Sequence, residues 1–353
     1  MSLKIYSAPE YLPPGLGHVV MLYPFWGKNP EDPADPSSGR YDRYTAMGRE
    51  WFELTSLGQA HLAVLPAPWE RVRGNSAAES LARRFLAEVR EAGKPALIFF
   101  WDDSPQPVDA ADALVLRTSF YRSRRRPGEF AQPAWSEDLA ARYFNGRLQR
   151  RPKSTRPVVG FCGFGQVRRT LKNLLYWGAS RLGLREPGAF TGHRLRARAL
   201  RLLGGSPLVE TNFIIRDAFF GGALTPAGGM AQVQALRREF VDNLAASDYV
   251  LCVRGNGNFS YRLYEALSLG RIPVLVDTDC PLPYDWDIDW RRYCVWVDQK
   301  DLGGIARQVA EFHDRLTPAE FEDLQRQCRA LWEARLSPEG FFQHFHRHLE
   351  VWT

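Results

Sequence analysis

Asp248 to Asp277 reads DYVLCVRGNGNFSYRLYEALSLGRIPVLVD, and this stretch decides how the chain is read. An apolar run, Tyr249 to Val253, has the length and composition of a buried strand. It leads through Arg254 into the turn Gly255-Asn256-Gly257-Asn258. A helix is expected from about Ser260, its N-cap, to Leu269. Gly270 stops it, and a second buried strand opens at Ile272-Pro273. A strand that feeds a helix through a glycine turn aims free backbone N–H groups outward, and the helix dipole adds positive character there. Arg254 and Arg262 bring full charges to the same place. Such an arrangement suits a phosphate.

The same alternation spreads outward in both directions. In the first half, strands are expected at Leu3 to Ala8, His18 to Pro24, His61 to Leu65, Ala96 to Trp101 and Ala113 to Arg117. Helices are expected at Tyr41 to Leu57 and Ser76 to Ala92, the latter capped by Asn75 or Ser76. Pro127 to Arg156 reads as a linker with a basic cluster at Arg147, Arg150, Arg151 and Lys153. Beyond it come strands at Val158 to Cys162, Leu208 to Arg216 and Tyr293 to Asp298. Helices are expected at Gln166 to Leu182, Gly192 to Leu203, Ala231 to Ala246 and Asp301 to Leu316. Thr317-Pro318-Ala319-Glu320 is in capping-box order, and Ser337-Pro338-Glu339 repeats the cap-plus-proline device. Strand–helix alternation argues for parallel sheets covered by helices. The expected fold class is α/β, with two doubly wound, Rossmann-like domains facing a cleft. Their expected bounds are 1–150 and 151–336, with 337–353 packing back on the first domain.

Composition sets the outer limits. The chain has 353 residues, 45% hydrophobic and 24% charged, enough for two cores and too apolar for disorder. The net charge of +6 fits anionic substrates or an anionic membrane surface. The basic run Arg122 to Arg126 raises nucleic acid as a rival partner, but no RNA- or DNA-binding module is recognisable, and none is expected. No apolar run is long enough to span a bilayer. The start, MSLKIYSAPEYLPPG, does not read as a signal peptide, so a cytoplasmic chain, or one peripheral to the inner membrane face, is the expectation. Five scattered cysteines without CxxC spacing read as buried free thiols.

The pattern Arg-Gly-x-x-x-x-Ser-x-Arg-x-x-Glu-Ala-Leu-x-x-Gly-x-Ile-Pro-Val, here Arg254 through Val274, resembles the signature of exostosin-family glycosyltransferases (glycosyltransferase family 47). The likeness continues through Asp277, Asp279, Leu282-Pro283 and Ile288-Asp289-Trp290, and covers about Leu208 to Leu316. It implies a GT-B fold and an inverting transfer from a nucleoside diphosphate sugar, with UDP the expected nucleotide. It also implies no obligatory metal and no cofactor, since the nucleotide sugar is a substrate. The expected acceptor is a polysaccharide or a lipid-linked glycan. A non-catalytic nucleotide-sugar or glycan-binding module is the alternative.

On this reading Arg254, Gly255, Asn256, Gly257, Asn258, Ser260 and Arg262 hold the donor, and Glu265 accepts the ribose hydroxyls one turn along. Gly163, in the turn after the 158–162 strand, and Arg216, at the end of another strand, are further donor-side candidates. Arg216 can equally be a structural partner of Asp217. Arg262 also serves catalysis by stabilising the departing diphosphate. The base that deprotonates the acceptor must come from the other domain. Asp102 and Asp103, where the Ala96–Trp101 strand ends, are the candidates. Family members often show a His-Asp pair after similar aromatic residues, and Asp102 stands at the histidine position, so the base stays open between them. His344, His346 and His348 alternate along a helix and cannot share one face as metal ligands would.

Overall fold

A computed structural model describes residues 2–33, 35–110, 112–165, 175, 178, 189–217 and 229–352. Most of the helix expected at 166–182 lies outside the described residues. The rest forms two parallel sheets flanked by helices, the GT-B-like arrangement expected.

The first sheet has the order β2-β1-β3-β4-β5-β6. Its strands are β1 (Leu3–Tyr6), β2 (Phe52–Leu54), β3 (Leu62–Val64), β4 (Ala96–Phe100), β5 (Ala113–Arg117) and β6 (Glu129–Ala131). The second has the order β11-β10-β9-β7-β8, with β7 (Val158–Phe164), β8 (Glu210–Arg216), β9 (Tyr249–Cys252), β10 (Ile272–Asp277) and β11 (Val295–Asp298). Every adjacent pair is parallel, so within each sheet all carboxyl ends lie along one edge. Strands β4 and β5 are buried along their whole length, as are β9 and β10, which is why they appear in sequence as unbroken apolar runs.

Three expectations on the first half are corrected. His18 to Pro24 is not a strand; it forms a tight turn, Val20–Leu22, and a short helix, Tyr23–Trp26. Val19, Met21 and Leu22 still bury, but β2 already occupies the edge beside β1. The helix expected over Tyr41 to Leu57 is cut short at Asp42–Met47, and its tail becomes β2. An added Cβ at Gly48 would lie 2.4 Å from Pro24, so the chain turns there against a packed neighbour. The expected linker also contains β6, only three residues long, anchored where Arg117 donates to buried Glu129 at 2.6 Å. Its basic cluster is partly structural: Arg151 pairs with the fully buried Asp248 at 2.7 Å, at the foot of β9.

Arg122 to Arg126 is likewise no free basic loop. Arg122 reaches both carboxylate oxygens of Asp277 at 3.3 Å and the Cys280 carbonyl at 2.8 Å. The Ser123 N–H donates to Asp279, and Arg125 pairs with Asp285 at 2.5 Å. The run joins the first sheet to the carboxyl end of β10. The crossover between sheets comes early, since Leu139 and Ala140 of the helix Leu139–Phe144 are buried in the second core.

The chain's end returns to the first sheet. Phe341, Phe342 and Phe345 sit in its core, with Phe342 stacked on Tyr44 at 4.1 Å between centroids. No helix among the described residues is long and apolar enough to cross a membrane. All five cysteines are buried and free, in line with the sequence.

His348 is fully enclosed by Tyr284, Trp286, Phe130, Phe341 and Phe345. Burial, against a partial rise from the Phe345 carbonyl and with a small push from nearby His346, lowers its pKa to about 3. The folded form therefore takes up this proton only near pH 3, whereas the unfolded chain takes it up near 6.5. Between those values the unfolded state binds more protons, so stability falls as pH drops below about 6.5. The expected slope is ~1.4 kcal/mol per pH unit from this group. Denaturant titrations of wild type and His348→Gln between pH 7 and 5 should show a shallower slope in the variant. Parallel slopes would mean that the ring is protonated in the folded state.

Candidate functional site

The carboxyl ends of β4 and β9 meet between the two sheets. After β9, Arg254 and the turn Gly255 to Asn258 lead into the helix Tyr261–Ser268. After β4, Trp101, Asp102 and Asp103 face that turn. The Asp103 carboxylate accepts the Gly257 N–H and the Asn256 side chain, and its pKa is raised by burial and by Asp102 against those bonds. An added Cβ on Gly257 would lie 2.7 Å from Asp103 Oδ1 and 2.9 Å from its Cα. Only glycine allows this approach.

The turn is not open along its whole length. Asn256 is exposed and Gly255 half-buried, but Gly257 and Asn258 are buried. Asn258 N–H donates to Ser119 Oγ at 2.9 Å. Its side-chain amide donates to the carbonyls of Phe120 and Asp279, and its oxygen accepts from Thr278. Both amide protons are therefore committed to holding the two halves together. A donor-binding role for Asn258 does not fit this geometry; it is a strut. Ser260 takes the N-cap backbone conformation, but its hydroxyl makes no capping bond.

Behind the turn lies a group of guanidinium ions, Arg254 buried and Arg262 and Arg196 half-buried. Arg254 donates to the Tyr121 hydroxyl and the Asn256 carbonyl, each at 3.0 Å. Arg262 lies over the Phe161 ring at 4.4 Å and donates to the Cys162 carbonyl at 2.9 Å. Arg196 donates to the carbonyls of Phe164 and Arg254. Burial lowers the Arg262 pKa, only partly opposed by Glu265. Arg196 is pushed down to about 9 by burial and by the charge on Arg262. Among the described residues the side-chain Nε of both Arg196 and Arg262 lacks a hydrogen-bond partner. A guanidinium in this state has donors and charge to spare for an anion. Gly163, at φ +140°, lies beside them, and a Cβ there would approach Arg262 Nη2 to 3.1 Å.

Glu265 sits differently from the expectation of an open ribose site. Its Oε1 accepts from Arg237 at 2.6 Å, and Arg237 also binds Glu137 at 2.8 Å. All three are buried, and the Glu265 side chain is 10% exposed. Burial works against charge on Arg237, but Glu265 and Glu137 more than offset it and hold its pKa above the usual value. One oxygen of Glu265 is thus taken. Arg216 is also committed, to Glu239. Asp102 accepts from Arg73 at 3.3 Å.

Sequence reading missed Arg196, Arg237, Glu137 and Glu70. For Arg237 the signal was present: it interrupts the buried face of the helix Met230–Ala245, between Val233 and Phe240, Val241 and Leu244. An arginine in an apolar stripe calls for a buried acid. Arg196 was legible only as one charge on a basic helix. Glu70 is the second residue of a four-residue helix, Trp69–Val72, too short to announce itself.

Comparison with known proteins agrees with the motif. Residues 225–310 match the exostosin GT47 domain. Over 97 residues the chain is 31% identical to Exostosin-1 of Drosophila melanogaster, spanning 28% of this chain and 12% of that protein. It is 33% identical over 102 residues to Exostosin-1a of Danio rerio, covering 29% and 13%. It is 32% identical over 92 residues to a "Probable glucuronosyltransferase" of Oryza sativa subsp. japonica, covering 26% and 20%. The match thus spans no more than a fifth of these relatives' length.

Proposed function

We propose that the chain is an inverting glycosyltransferase that moves a sugar from a nucleoside diphosphate sugar, with UDP as nucleotide, to a polysaccharide or lipid-linked glycan. One observation carries this reading: Arg196 and Arg262 lie half-buried beside the glycine turn, with Nε donors unspent among the described residues. A diphosphate at this place would use those donors and the head of the helix Tyr261–Ser268. The matched exostosin segment spans the turn and helix.

In the proposed reaction the acceptor oxygen attacks the anomeric carbon from the side of β4. The bond to the diphosphate breaks, and the electron pair leaves on a phosphate oxygen. Arg254, Arg262 and Arg196 offset the charge that develops there, the role a preorganised site fills best. We assign no divalent ion to this step. The proton acceptor comes from the β4 side, where Asp102 and Asp103 are the candidates expected from the sequence.

A thermal-shift panel of nucleotides and nucleotide sugars tests the assignment. At a hundredfold excess over Kd the true donor nucleotide adds about 2.7 kcal/mol of stability. Release of UDP on adding donor and acceptor, undiminished by chelator, separates an enzyme from a binding module. A panel without any nucleotide shift removes the reading.

A further inference from the structure

The carboxyl edge of the first sheet holds a third carboxyl group, on Glu70. β3 leaves the sheet through Pro66-Ala67-Pro68, and Pro68, with extended backbone, sets the start of the short helix Trp69–Val72. Glu70 is half-buried in its first turn. Its Oε2 accepts the N–H of Trp101 at 3.0 Å, where β4 ends. Trp101 in turn donates its indole N–H to the Tyr261 hydroxyl at 2.9 Å. Tyr261 is the first residue of the helix beside which the arginines gather, and it is 41% exposed. A single residue therefore links Glu70 to the proposed donor site across the gap between the sheets.

Its two acidic neighbours are tied. Asp102 is held by Arg73, and Asp103 by the Gly257 N–H and Asn256. A carboxylate paired with a cation is a weaker proton acceptor, and Asp102 is so paired. Asp103 is occupied by the turn it packs against. Glu70 accepts only backbone N–H bonds, from Trp101 and from its own residue, and no cation pairs with it among the described residues. We propose that Glu70 is the base that takes the acceptor hydroxyl proton, an assignment that rests on the glycosyl-transfer reading above. In the step, the acceptor O–H bond breaks and its proton passes to a Glu70 oxygen. The freed electron pair forms the bond to the anomeric carbon. The bond to the diphosphate breaks at the same time, and its electron pair departs with the phosphate. Glu70 later returns the proton to water.

The charged surroundings agree with this role. Burial, with a smaller contribution from Asp102 of the β4 loop, raises the Glu70 carboxyl to about 7 against its own N–H, that of Trp101, and Arg71 of its own helix. A base poised near neutral pH is the most effective one there.

The test uses the full chain and the variant Glu70→Gln, which keeps the acceptor oxygen for Trp101. We expect kcat for transfer to fall about a hundredfold or more. We expect the UDP thermal shift to stay at the wild-type size. The acid limb of kcat/KM, with its midpoint near 7 in wild type, should disappear. Glu70→Asp should recover part of the rate. The variant's melting temperature at pH 8 should match or exceed wild type, since an ionised, half-buried carboxylate is gone. A variant with wild-type kcat and an unchanged acid limb would overturn the assignment. So would loss of activity together with the UDP shift, which would mark Glu70 as structural. If wild type itself shows no nucleotide shift and releases no diphosphate, the failure belongs to the glycosyl-transfer reading.

Discussion

Arg262→Ala should lose about two decades of transfer rate, near 3 kcal/mol of transition-state stabilisation. The expectation comes from what surrounds the guanidinium. It is half-buried, lies 4.4 Å over Phe161, and donates to the Cys162 carbonyl. Two effects of removal oppose each other in the unliganded protein. Packing against Phe161 and Phe240 is lost, while a buried like-charge repulsion with Arg196 is relieved. The melting temperature without ligand should therefore move little. The thermal shift produced by UDP should shrink sharply. Arg262→Met keeps most of the volume and should show the same split between stability and activity. Wild-type turnover together with a full UDP shift in either variant would end the diphosphate assignment.

The second large effect is on stability alone. Replacing Arg237 with alanine should destabilise the fold by about 3–5 kcal/mol. The side chain bridges Glu137, which follows β6, and Glu265, on the helix after the glycine turn. Removing it leaves two acids buried and close together without a counterion. The cost should therefore be recovered in large part by adding Glu137→Gln and Glu265→Gln in the same chain. A neutral, hydrogen-bonded cluster avoids the desolvation that the lone carboxylates suffer. Urea unfolding of the single and triple variants measures both terms. A single variant that loses less than about 1 kcal/mol would show that water already reaches the acids. The test also bears on the site, because Arg237 fixes how Glu265 presents its remaining oxygen.

Much of the second sheet was legible because its strands are buried on both sides. Tyr249 to Cys252 and Ile272 to Asp277 are continuous apolar runs, and the helix between them begins and ends within one residue of the expectation. The capping box at Thr317 was equally plain, since both of its bonds are local and form as expected. The first half was harder. Val19, Met21 and Leu22 bury as a strand would, yet the chain coils there. Burial alone does not distinguish a sheet edge from a turn packed beneath it. Strands of three residues, Phe52–Leu54 and Glu129–Ala131, carry too little pattern to register.

The candidate site divides along the same line. The sequence by itself determined the strand–turn–helix at Arg254 to Ser268, its glycines, and the gathering of cations beside it, because spacing along one segment and backbone geometry dictate those. Only the tertiary structure decided which charges remain available. Asn258 became a strut, Glu265 was drawn into an ion triad, and Arg122 was spent on Asp277. It also brought Arg196 and Glu70 to the cleft from elements that gave no sign of it. The reason is physical: a side chain's chemistry depends on the partner that neutralises or desolvates it, and at this site most of those partners lie more than fifty residues away along the chain.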